Sequence, residues 1–135
     1  MNFKHQFFAT LLLSLAFAAN SLAAEVVTHP ENTHEIDSEQ IRSILIGKQR
    51  FWNDGTEVII AILNEQSAET ALKSYCGMTT AKFKNHWQRI AFSGRGKMPI
   101  TFQTLEELSS YVYNHPGAIA IVANHPPIAK LNKER

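Results

Sequence analysis

Val58-Ile59-Ile60-Ala61-Ile62-Leu63 is a continuous apolar run, and Ala118-Ile119-Ala120-Ile121-Val122 is a second one. Neither run alternates with polar residues, so each is predicted to be a strand that is buried on both faces. Strands of this kind occur in sheets that carry helices on both sides. The two runs therefore predict an α/β fold with a largely parallel sheet flanked by helices.

The segments around these strands carry helix and strand signals. A short β-type run, Glu25-Val26-Val27-Thr28, predicts a further strand, and Asp54-Gly55 predicts a turn. Capping residues and glycines delimit four predicted helices. The first is capped by Asp37 or Ser38 and stopped by Gly47, the second runs from about Ser67 to Tyr75 or Cys76, the third is capped by Thr79 or Thr80, and the fourth runs from Thr104 to about Asn114.

The N-terminus has the pattern of a cleaved secretory signal. Lys4 precedes an apolar stretch over residues 7–19, which is shorter than the ~20 residues of a spanning helix. Small residues follow, and cleavage is predicted near Ala23 or Ala24. We therefore expect a signal peptide over residues 1–24, one domain over 25–125 and a flexible tail over 126–135, without a stable membrane anchor.

Charge and composition exclude several classes of function. Without Lys4 the chain carries twelve basic and twelve acidic side chains, which argues against a nucleic-acid binder. Its single cysteine, Cys76, cannot form an intramolecular disulfide and is interpreted as a small buried side chain. Six basic residues and no acid lie between Lys73 and Lys97, which indicates either a solvated helix face or a local positive field that attracts an anion.

Signals for catalysis and cofactors are missing from the sequence. No Ser-His-Asp or Cys-His arrangement, phosphate-binding loop or dinucleotide fingerprint can be assembled. The closest histidine pair, His29 and His34, lacks a third ligand at zinc spacing. We therefore expect a protein that is not an enzyme and has no metal site and no cofactor.

Five segments of the chain, taken in order, carry a family resemblance. They are Ile44-Leu45-Ile46-Gly47-Lys48, Trp52-Asn53-Asp54-Gly55, the stretch Phe83 to Arg89, Phe92 to Pro99, and Asn114-His115-Pro116-Gly117-Ala118-Ile119. Together they resemble the phosphate-binding proteins that serve ABC transporters. The resemblance runs from about Val26 to Val122. It implies a single lobe of a type II periplasmic-binding-protein-like fold, as in the short members of that family, and a periplasmic location.

The resemblance also implies a ligand site at the start of the second helix. In the family a serine-glycine-threonine turn holds phosphate there; this chain has Ser67, Ala68 and Glu69 instead. Ala68 adds a β-carbon where the glycine stands, and Glu69 puts a carboxylate in place of a donor. Arg95 and Lys97, in the glycine-rich loop, are the predicted charge partners of a bound oxyanion.

Two functions follow as expectations. The first is an exported solute-binding-protein-like module that holds phosphate or another oxyanion weakly and serves a membrane permease or receptor. The second is a lobe without a ligand that acts as a protein-interaction module in an envelope complex, or that associates with itself to rebuild a cleft.

Overall fold

The computed structural model of the protein describes residues 24–32, 35–64 and 66–123, except for the side chain of Ser67. Of the predicted signal peptide only Ala24 lies within these ranges. The predicted tail over 126–135 lies outside them, as do the last two residues of the predicted domain.

The described residues form an α/β fold with a mixed four-stranded sheet. The elements are β1 (Glu25–Thr28), α1 (Ser38–Leu45), β2 (Ile59–Leu63), α2 (Gln66–Cys76), α3 (Thr80–Phe92), β3 (Ile100–Phe102), α4 (Leu105–Asn114) and β4 (Ala118–Val122). The strand order is β1-β4-β2-β3. β2 pairs in parallel with both β3 and β4, so the parallel part of the prediction is confirmed.

Two features of the sheet correct the sequence-based expectation. β3 was not predicted, because three residues are too few to show a strand period and they follow a glycine-rich loop. β1 pairs antiparallel with β4, with Glu25 opposite Val122 and Thr28 opposite Ile119. The sheet is therefore mixed, with one antiparallel edge strand on a parallel core.

The period-two geometry of β2 and β4 divides the core into two layers. Ile60 and Ile62 of β2 and Ile119 and Ile121 of β4 pack against α1, α2 and α3. The intervening residues of the same strands, among them Ala61 and Leu63 of β2, pack on the opposite side against α4. Both faces are covered, as the uninterrupted apolar runs predicted.

Side chains from α3 complete the C-terminus of α1. Trp87 Nε1 donates to the carbonyl of Leu45 at 2.9 Å, and His86 Nε2 lies 2.8 Å from the carbonyl of Ile46. The last carbonyls of a helix have no partner within it, so these contacts satisfy groups that burial would otherwise leave unpaired. Gly47 ends the helix at a φ of 79°, where a β-carbon would lie 2.7 Å from Cδ1 of Ile90.

Gly117 joins the turn before β2 to the start of β4. Its carbonyl accepts hydrogen bonds from Ile59 N at 2.9 Å and from the buried Trp52 Nε1 at 3.0 Å. A β-carbon at Gly117 would lie 2.1 Å from the carbonyl oxygen of Glu57, so only glycine permits this approach. Two of the sequence segments that carry the family resemblance thus meet in one contact.

We expect Gly117→Ala to lower the free energy of unfolding by about 3 kcal/mol, because the backbone of Glu57 must move to admit the methyl group. Gly55→Ala is the control: Gly55 has a positive φ of 86° but open space around its β-position, and its backbone strain should cost only about 1 kcal/mol. Urea unfolding of both variants measures the difference. An equal decrease in the free energy of unfolding in both variants would mean that the steric contact at Gly117 is unimportant.

Candidate functional site

The carboxyl ends of β2 and β3 meet at a topological switch point of the sheet, which we call the crevice. The two strands are parallel neighbours, yet α2 leaves β2 toward one face of the sheet while α4 leaves β3 toward the other. Ligands of open α/β sheets bind at such a switch point, outside the carboxyl ends of the strands. Asn64 spans the crevice: its N–H donates to Phe102 O at 2.8 Å and its Nδ2 donates to Gln103 Oε1 at 3.3 Å.

The first turn of α2 lies beside this crevice and contains three of the predicted site residues. Ser67 belongs to the helix, and its side chain lies outside the described part of the structure. Ala68 is 2% exposed, so its β-carbon packs into the protein rather than into solvent. The substitution of alanine for the family glycine is therefore accommodated by the core.

Glu69 is turned toward α3. Its carboxylate lies 2.8 Å from Lys73 Nζ, one helical turn later, and accepts a 3.3 Å hydrogen bond from the N–H of Thr80. Thr80 is the first residue of α3, and the adjacent Thr79 caps that helix through the N–H of Lys82. The hydrogen bond from Lys73, and after it the one from Thr80, lowers the pKa of the Glu69 carboxyl. Glu69 thus complements the positive end of α3.

Arg95 and Lys97 lie at the other end of β2. Lys97 Nζ contacts Glu57 Oε2 at 2.9 Å, and this hydrogen bond raises the pKa of the lysine. Glu57 precedes β2, whereas Ser67 follows it. Six residues of extended chain between Glu57 and Leu63 span about 20 Å. The structure therefore brings Ser67, Ala68 and Glu69 together but separates them from Arg95 and Lys97, which cannot hold the same small anion within this chain.

Two polar residues of the crevice were not among the predicted site residues. Asn64 and Gln103 directly follow β2 and β3, and both are exposed. Asn64 could have been found from its position after the buried strand. Gln103 could not, because β3 itself was not recognised from the sequence.

Neither a metal centre nor a membrane span is found among the residues that the structure describes. No three His, Cys, Asp or Glu side chains there are grouped closely enough to hold a metal ion. No helix there is long and apolar enough to cross a membrane. Cys76 is half-buried at the end of α2, where burial raises the pKa of its thiol.

Comparisons with known proteins add no identification. No protein-family model, no curated protein and no solved structure matches this chain. The geometry of the site and the resemblance carried by the sequence segments are therefore the basis for the proposed function.

We expect Glu69→Gln to lower the melting temperature at pH 7, because the neutral amide loses the charge that Lys73 and the start of α3 stabilise. A carboxyl with a lowered folded pKa stabilises the fold above its unfolded pKa and loses that contribution as the pH falls through the folded value. The difference in melting temperature between Glu69→Gln and the wild type should therefore become smaller as the pH drops below about 4.5.

Glu39→Gln is the matched control for this experiment. Glu39 also lies in the first turn of a helix, but it is exposed, and its side chain makes no hydrogen bond or ion pair within the described ranges. Thermal unfolding followed by circular dichroism at several pH values measures both variants. If the melting temperature of Glu69→Gln differs from that of the wild type by the same amount from pH 7 to pH 3, the proposed capping role of Glu69 is contradicted.

Proposed function

We propose that the chain is an exported binding module of the phosphate-binding type, a single type II periplasmic-binding-protein-like lobe that holds phosphate or another oxyanion weakly. The observation that carries this proposal is the crevice at the carboxyl ends of β2 and β3. The first turn of α2, where the resemblance expects the ligand, lies beside that crevice. In this proposal the ligand contacts are made by Ser67 and the backbone N–H groups around it.

The physical attraction for an anion comes from the helix terminus. The first N–H groups of a helix have no partner within it, and the aligned peptide dipoles add a partial positive charge there. The two departures from the family pattern add no unengaged side chain to this turn. The β-carbon of Ala68 is buried, and the carboxylate of Glu69 is engaged by Lys73 and Thr80 rather than facing the ligand position.

Two features favour weak rather than tight binding. Asn64, Gln103 and Thr104 are exposed, so an anion in the crevice stays in contact with water, which screens its interactions. Glu106 and Glu107 occupy the first turn of α4 on the other side of the crevice. Their negative charge opposes that of a bound anion, and the attraction of the helix terminus is partly cancelled.

The first experiment is thermal unfolding of the purified protein during titration with phosphate, sulfate and chloride at constant ionic strength. A ligand that binds only the folded state stabilises it by RT ln(1 + [L]/Kd), about 2.7 kcal/mol at a hundredfold excess over Kd. We expect the melting temperature to rise more with phosphate than with chloride. Curves that overlay for all three anions would contradict oxyanion binding.

Two variants locate the anion once a shift is seen. Ser67→Ala should reduce the phosphate-dependent shift, because it removes a hydroxyl at the start of α2. Arg95→Ala tests the other end of β2, and Lys84→Ala serves as a control for the loss of a surface charge on α3. If Arg95→Ala abolishes the shift and Ser67→Ala does not, the anion binds at the basic loop and the crevice site is wrong.

A protein-interaction module is the second candidate, and Phe92 is the observation that favours it. Its side chain is 89% exposed at the end of α3, next to the glycine-rich loop. Burial of a phenylalanine against a partner would contribute roughly 1.5–3 kcal/mol. In this candidate function the partner is a membrane permease, a receptor or a second copy of the chain.

We expect Phe92→Ser to weaken this association if Phe92 contacts the partner. Tyr113→Ser is the control, because Tyr113 is also exposed, at 58%, but lies at the end of α4. Sedimentation velocity detects association of the chain with itself, and cross-linking in intact cells followed by mass spectrometry detects a membrane partner. If Phe92→Ser forms every cross-linked species that the wild type forms, Phe92 is not part of a partner interface.

A further inference from the structure

A second concavity lies at the opposite end of the sheet from the crevice, beneath the amino ends of β2 and β3. We call it the amino-end cleft, and its volume is about 320 Å³. Its apolar lining comes from both sides of the sheet and includes Ile44, Val58, Ile60, Trp87 and Tyr111. The volume is at the lower end of the range of small-molecule sites, and the mainly apolar lining is typical of them.

The charged groups of the amino-end cleft are mostly cationic. Arg50, Arg95 and Lys97 all line it, and Glu57 is the one acidic residue among the lining residues. Glu57 is already engaged by Lys97, in an ion pair whose side chains are 81% and 43% exposed and which is therefore weak. The two arginines leave a net positive charge beside an apolar surface.

The cationic loop is held in place by the protein itself. A guanidinium nitrogen of Arg50 donates to the carbonyl of Arg95, and Arg95 Nε donates to Ser93 Oγ at 2.9 Å. Gly96 packs against Ile90 and Trp87: a β-carbon there would lie 3.0 Å from Cγ2 of Ile90 and 3.4 Å from the indole of Trp87. These contacts fix the loop and use Nε of Arg95, while its two terminal nitrogens have no hydrogen-bond partner within the described ranges. The cleft is thus pre-organised, which lowers the entropic cost of binding.

We propose that the amino-end cleft binds a small amphipathic anion, in which a carboxylate is attached to an apolar tail. The carboxylate accepts hydrogen bonds from the terminal nitrogens of Arg95, with Arg50 adding to the positive potential, and the tail covers the apolar lining beside Trp87. A guanidinium presents its donors as a planar fork that matches a carboxylate. A bare inorganic anion would leave the apolar surface uncovered, and a cation would be repelled by the rim.

This site is separate from the crevice of the proposed function, so one can fail without the other. The probe is octanoate, compared with 1-octanol and octylammonium, which have the same tail with a neutral and a cationic head. Isothermal titration calorimetry with the purified protein, expressed from residues 1–135, measures each Kd. We expect saturable binding of octanoate and at least about tenfold weaker binding of the other two, because only the carboxylate gains charge-assisted hydrogen bonds.

Two variants test which residues provide the affinity. Arg95→Gln should weaken octanoate binding by about tenfold or more, since it removes both the charge and the fork of donors. Lys84→Gln is the matched control: it removes one exposed charge from α3 outside the lining of the cleft and should leave the affinity unchanged. Circular dichroism confirms that both variants stay folded.

Four results would overturn the proposal. The first is the absence of saturable octanoate binding, and the second is equal affinity for octanoate and 1-octanol, which would indicate apolar adsorption alone. The third is an unchanged affinity in Arg95→Gln. The fourth is binding of an acidic peptide at Arg95 in place of octanoate, which would make the cleft a surface for a protein partner.

Discussion

The carbonyl of Gly117 accepts hydrogen bonds from Ile59 N and Trp52 Nε1, and the rest of the fold depends on this contact. It begins the pairing of β2 with β4, the two strands at the centre of the sheet. It also fixes the turn before β2 against the start of β4, at a distance from Glu57 that excludes any β-carbon. Both core layers are built on these two strands, so a shift in the register of β2 against β4 would displace side chains on both faces of the sheet.

The segments that resemble phosphate-binding proteins are explained mostly by contacts of this kind. Trp87 and His86 supply hydrogen-bonding groups to the last carbonyls of α1, Gly47 lies against Ile90, and Gly117 lies against Glu57. These residues hold the scaffold together and do not touch the proposed ligand. A resemblance built on them supports a fold more strongly than it supports a ligand, since function belongs to the site. The evidence for phosphate therefore rests on the few residues around Ser67.

Local signals predicted the elements well and the site poorly. The bounds of β1 and β4 and the end of α4 agree with the structure, and Asp37, Thr79 and Thr104 cap helices as predicted, because apolar runs and caps act over a few residues. The prediction that Arg95 and Lys97 lie beside Ser67 was wrong, because β3 was not recognised from the sequence. A loop that leads into a strand parallel to β2 must lie at the amino end of the sheet, whereas Ser67, which follows β2, lies at the carboxyl end.

The two ends of the sheet consequently present different charges to a ligand. At the carboxyl end, helix termini that each carry about half a positive charge act beside Glu106 and Glu107. At the amino end, Arg50, Arg95 and Lys97 act beside a single carboxylate, that of Glu57. Because exposed charges are screened over about 8–10 Å at physiological ionic strength, an anion at one end is nearly insensitive to charges at the other. Under the two proposals, the crevice therefore selects its ligand only through directed N–H groups and shape, whereas the amino-end cleft selects its ligand through charge combined with apolar contact.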